Sequence, residues 1–150
     1  MVSSAQRTIG FVLLLAACAS HPARVESAAP PEPGRLAVSL ADTSLHRGRN
    51  HLYFAIVRAG ASPPQLLDDP RSSTEVRFFL DRQPGSDPDV VAHASFAKDG
   101  PVISNGGAQI PTNRVVDLLL PSEGGGNLQF SIVESNGRAT VIGVPVRIAQ

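Results

Sequence analysis

The sequence predicts an all-β domain, a seven-strand antiparallel sandwich over residues 36–150, and three observations carry that expectation. Apolar residues recur at every second position in seven separate segments. Clusters of Gly, Pro, Asn and Asp fall between those segments. No segment shows a convincing helical spacing of apolar residues.

The first strand is set by Leu36, Val38 and Leu40, and the second by Leu52, Phe54 and Ile56, with Tyr53, Ala55 and Val57 on its other face. Val76, Phe78 and Leu80 form the third, interrupted by Arg77. The fourth runs Val90, Ala92, Ala94, Phe96 with His93 and Ser95 opposite, and the fifth Val116, Leu118, Leu120 with Asp117 opposite. Leu128, Phe130 and Ile132 make the sixth; Ile142, Val144, Val146 and Ile148 make the seventh. Breakers separate them: Arg47-Gly48-Arg49-Asn50, residues 60–64, residues 84–88, Asn105-Gly106-Gly107 and Glu123-Gly124-Gly125-Gly126-Asn127.

Asn136-Gly137 between the last two strands calls for a type I′ turn, because these residue types best tolerate positive φ, and so for an antiparallel hairpin. Pro145 has no N–H to give to a ladder, which puts the final strand at a sheet edge or at a bulge. About 115 residues suffice for one core without disulfides.

The domain's spacing resembles that of immunoglobulin-like envelope domains, and more narrowly bacterial extracytoplasmic modules of the YtkA or FixH-like type. The resemblance rests on Gly48-Arg49-Asn50 leading into the strand at Leu52, on Glu75-Val76-Arg77-Phe78-Phe79, on Leu120-Pro121 followed by glycines, and on Asn136-Gly137 before a final Val-x-Val-x-Ile. It implies an immunoglobulin-like strand arrangement and, through the narrower likeness, a metal-handling role. The chain departs from antibody domains in having no tryptophan and no inter-sheet disulfide, and Tyr53 sits too early for a tyrosine corner.

Residues 1–17 read as a signal peptide: one charge at Arg7, an apolar run from Ile9, and small residues before Cys18. That run is too short for a bilayer-spanning helix, which needs about 20 residues. Leu15-Ala16-Ala17-Cys18 resembles the lipobox of bacterial lipoproteins, which implies cleavage before Cys18 and acylation of its thiol, with diacylglycerol and palmitate-type chains. The rival is ordinary cleavage at Ala17-Cys18-Ala19, which would release a soluble protein. Cys18 is the chain's only cysteine, and an exported unpaired thiol invites oxidation unless it is consumed. Ala19 lacks the aspartate that favours inner-membrane retention, so the resemblance implies the outer membrane in a host with two membranes. Residues 18–35, with four prolines, read as a lipidated cysteine and flexible tether reaching up to about 50 Å.

Formal net charge is zero, and twelve of the thirteen basic residues are arginines spread along the chain. Without a basic cluster to displace counterions, nucleic acid is not an expected partner. The only metal constellation to weigh is His46, His51 and His93 with Asp42, weak because the second and fourth strands of a sandwich normally lie in opposite sheets. No thiol or methionine remains in the mature chain for copper(I). Ser95 and Lys98 match S-x-x-K, but on a strand these two positions face opposite ways, so the match is rejected. Asp68, Asp69 and the Asp81–Asp89 stretch lack a calcium-loop register and read as turn aspartates.

The long loop 59–74 is the expected place of function, unless Leu66 and Leu67 fold back onto the sandwich. The sequence therefore leads to a non-catalytic, lipid-anchored binding or scaffolding module of the bacterial cell envelope, without cofactor, meeting another envelope protein. Copper or zinc handling is the alternative, and an envelope hydrolase the third reading.

Overall fold

The computed structural model describes residues 34–81, 87–105 and 107–150. The predicted signal peptide, Cys18 and the tether up to residue 33 lie outside the described residues, as do 82–86 and Gly106. The described residues form strands and no helix. In order these are β1 (Leu36–Leu40), β2 (Ser44–His46), β3 (Gly48–Arg58), β4 (Gln65–Leu66), β5 (Ser73–Leu80) and β6 (Val90–His93). They continue with β7 (Ser95–Phe96), β8 (Val102–Asn105), β9 (Ala108–Pro111), β10 (Arg114–Leu120), β11 (Gly124–Val133) and β12 (Ala139–Ala149).

One five-stranded sheet runs β1-β3-β10-β7, with β4 added beside β3; the other runs β2-β12-β11-β5-β6. β8 and β9 form a separate hairpin. All seven expected strands are present, but the count is corrected to twelve. Four short strands were too brief to show an alternation, and the fourth expected strand is split at Ala94. Pairing is antiparallel except between β2 and β12.

The alternating residues meet where expected, except Phe96, which lies outside the core, 42% exposed, with the Arg114 guanidinium over its ring, because β7 belongs to the other sheet from β6. Leu52, Phe54 and Ile56 of β3 and Val116, Leu118 and Leu120 of β10 face Val76, Phe78, Leu128, Phe130 and Ile132 in one core. Each such burial contributes about 1.5–3 kcal/mol. Phe54 and Phe130 join the sheets edge-to-face at 5.0 Å between centroids. Near its end β3 is buried on both faces, because the β8–β9 hairpin lays Ile103 and Ile110 over Ala55 and Val57.

Two turn expectations are corrected. The 134–138 connection is a hairpin, but Asn136 has negative φ and only Gly137 is left-handed, at +82°. The Gly137 N–H donates to Glu134 O and the Glu134 N–H to Arg138 O, the pattern of a type I turn closed by a glycine bulge. Asn136 Oδ1 accepts from the Arg138 N–H at 2.8 Å, which stabilises that form. Gly124–Gly126, read as a breaker, instead begin β11. Gly126 is needed there because a Cβ would stand 2.7 Å from Phe79 O and 2.5 Å from the Phe78 ring. Pro145 pairs with Asn127 of β11. On its other side β2 covers only Arg147–Ala149, so at Pro145 the strand is an edge.

Candidate functional site

The alternation that turns β3 and β10 inward with apolar residues turns His51 and Tyr53, and Val115 and Asp117, outward. Their register sets Asp117 opposite His51 and Val115 opposite Tyr53. Val115 is also opposite Ser95 on β7. The β8–β9 hairpin stops short of these positions, covering Ala55 and Val57 only, so the outer face opens beside Tyr53. Gly100 closes that side: a Cβ there would come 3.2 Å from the Tyr53 ring.

The other wall comes from the second sheet. β6 pairs with β5, β7 pairs with β10, and the chain changes sheets across the single residue Ala94, whose N–H donates to Thr74 O. His93 and Ser95 therefore flank the crossing. The resulting concavity, about 310 Å³, is lined by His51, Tyr53, His93, Ser95, Val115 and Asp117. The expected separation of His51 from His93 is thus corrected: their strands do lie in different sheets, but the crossing brings both side chains to one cavity.

One nitrogen of each imidazole faces a carboxylate. His51 Nδ1 pairs with Asp117 Oδ1, and His93 Nε2 stands 3.9 Å from Glu75 Oε2. Glu75 also accepts from Arg77 Nε at 2.6 Å. The His51 and Asp117 side chains are 63% and 68% exposed, so the pair lies in high dielectric. Among the described residues no hydrogen bond joins Ser95 to either imidazole. His46 is elsewhere, at the β2–β3 turn, where its backbone is tied to Asn50. Among the described residues no group of three His, Cys, Asp or Glu side chains is placed to hold a metal ion by itself.

The 59–74 loop folds back. Leu67 is in the core, and β4 pairs with β3. Arg114, 1% exposed, donates to Leu67 O at 3.0 Å, Ser72 Oγ at 2.9 Å and Asn113 O, while its guanidinium stacks 3.6 Å over the Phe96 ring. Burial lowers its pKa and nearby Asp68 opposes that shift. Asn113 donates to Leu67 O and Asp68 Oδ1 and accepts from the Ile56 N–H. The Ser135 hydroxyl, then the Arg71 backbone N–H, hold the Asp69 carboxyl below its usual range. The loop's aspartates are occupied in turn and anchoring bonds, while Asp89 accepts from the Leu80 N–H.

The sequence names His51, His93 and Ser95 but misses Tyr53 and Asp117 as site residues. Their signal was weak: both stand on the polar face of an alternating strand, and nothing in the sequence says which polar faces adjoin. Comparison with protein-family models, curated proteins and solved structures found no match to this chain.

Proposed function

We propose that the protein is a non-catalytic binding module of the bacterial cell envelope, held to a membrane by a lipid on Cys18. The observation that carries this reading is the order of parts along the chain. A lipobox-like Leu15-Ala16-Ala17-Cys18 leads to a proline-rich stretch, and the β domain begins at Leu36. Two or more acyl chains hold firmly where one holds only marginally.

An immunoglobulin-like arrangement accords with the order β1-β3-β10-β7 in one sheet and β12-β11-β5 in the other, which parallels the ABED and GFC strands of that fold. Binding is favoured over hydrolysis by the cavity's chemistry. A serine relay requires a buried carboxylate orienting a histidine that is bonded to the nucleophile. Here Asp117 is exposed and Ser95 stands two rungs along the ladder from the His51–Asp117 pair. The partner in this reading is another envelope protein, not nucleic acid.

Palmitate labelling and membrane flotation of the full chain and its Cys18→Ser variant test the proposal. The parent is expected to take label and float with membranes, and the variant to lose both. An unlabelled parent, or one retaining Met1 in the cytosol, would overturn it. Crosslinking in intact cells is expected to recover a specific envelope protein with the parent chain.

A further inference from the structure

We infer that a second copy of this chain docks on the free edge of β12, its own β12 pairing antiparallel with Ala139–Gly143 about a two-fold axis at Val141. This contact lies away from the cavity and is independent of any lipid on Cys18.

Two backbone bonds fix which groups that edge presents. Arg138 O accepts from the Glu134 N–H on the β11 side, and Ala149 O accepts from the Arg47 N–H on the opposite side. The register with β11 runs without a bulge from Ala139 to Ile148, so the backbone direction alternates strictly between those two bonds. Even-numbered residues therefore give their N–H and C=O to β11, while Ala139, Val141 and Gly143 turn theirs away from it. Among the described residues no strand meets that side of β12 before Arg147. Pro145 faces the same way, and lacking an N–H it ends the stretch that can pair.

Ala139–Gly143 carries neither charge nor bulge, the usual devices that keep strand edges apart. Val141, 60% exposed, stands at its middle. The slot between β12 and β1 beside it is apolar, with Leu36, Val38, Ile142 and Val144 in its walls. Further along the same edge β2 shows how it is filled: it pairs with Arg147–Ala149 and sinks Leu45 into the core.

A second copy fits because the stretch is complementary to itself. Bounded by the 134–138 turn at one end and by Pro145 at the other, it is centred on Val141. Antiparallel pairing about that residue sets Val141 against Val141 of the second copy and Ala139 against its Gly143. Each of these pairs exchanges both backbone bonds, roughly six in all. The two valines cover each other, and Ile142 of the second copy turns into the slot beside β1. A two-fold contact of this kind closes at two copies. The Arg138 side chains of the two copies fall six rungs apart, roughly 20 Å, beyond the screening length of about 8–10 Å, so no like charges oppose the contact. So small a contact belongs to the weak class of interfaces.

Full chain carrying Cys18→Ser has no other thiol and takes single cysteines on this edge; a Cβ at Gly143 meets only the Asn127 side chain. Oxidised with diamide, Val141→Cys is expected to form a disulfide-linked dimer, since the Cα atoms of such a pair stand about 5.5 Å apart. Ala139→Cys and Gly143→Cys, each alone, should link at least about tenfold less, because each lies four rungs, about 13 Å, from its own counterpart. Mixed together they should link to each other. Sedimentation of the Cys18→Ser chain in detergent should show a mass rising toward two copies with concentration. Adding Val141→Lys, which sets two ammonium groups face to face, should hold it at one. Circular dichroism establishes that the variants stay folded, which exposed positions allow. Absence of the Val141→Cys dimer, equal linking from Gly143→Cys alone, no linking in the mixture, or a Val141→Lys chain that still doubles would each overturn the pairing. Lipid attachment plays no part in these readouts, so either proposal can fail without the other.

Discussion

The sandwich has two flanks, and on each a length of chain passes from one sheet to the other, with different results. At β6–β7 the passage takes one residue, Ala94. Side chains from both sheets consequently meet there, His93 and Ser95 beside Asp117 and His51. At β1–β2 it takes Ala41–Thr43, and β2 reaches only the end of β12. The rest of β12 and the outer side of β1 face each other across a groove of about 400 Å³ without pairing. A tight crossing gathers chemistry from two sheets; a loose one leaves two strand edges.

The flanks also differ in what stabilises them. Beside the tight crossing lies Arg114, with its stack on Phe96 and its bonds to Leu67 O and Ser72 Oγ. The loose crossing is tied by an exposed bond, from the Ser44 N–H to Asp42 Oδ1 at 2.7 Å. Arg114→Ala removes the donor to Ser72 Oγ and one of the two donors to Leu67 O and empties the buried space under Phe96, and is expected to cost about 3 kcal/mol, read as a lower urea midpoint, with faster amide exchange in the 59–74 loop. Asp42→Ala should cost about 1 kcal/mol or less by the same measurement, because water replaces an exposed partner. An Asp42 effect exceeding that of Arg114 would reverse the comparison. The smallest effect belongs to Val141→Lys on the open flank. Val141 is 60% exposed, so the change should stay within about 0.5 kcal/mol.

Much of the fold was legible because period-two alternation survives wherever a strand is long enough to repeat it. β3, β5, β10, β11 and β12 each bury every second residue over at least part of their length. Two-residue strands such as β4 and β7 carry no period at all. The β8–β9 hairpin escaped because Ile103 and Ile110 pack against the outer face of β3, away from the main core. The glycine run before Asn127 misled for a related reason: Gly126 lacks a side chain because Phe78 lies against it, inside a strand. The Asn136 turn differs from expectation because its side chain bonds the Arg138 N–H, which needs no left-handed Asn.

By itself the sequence determined which residues of the long strands face inward, since burying an apolar side chain and solvating a polar one is decided position by position. It also placed a short apolar run, a single cysteine and a proline-rich stretch ahead of the domain. Only the tertiary structure decided which outward faces become neighbours. His51, Asp117 and His93 are brought together by strand order and by a one-residue change of sheet at Ala94. Those are properties of long-range pairing, whose free energy is shared among the whole core and therefore written in no local stretch of chain.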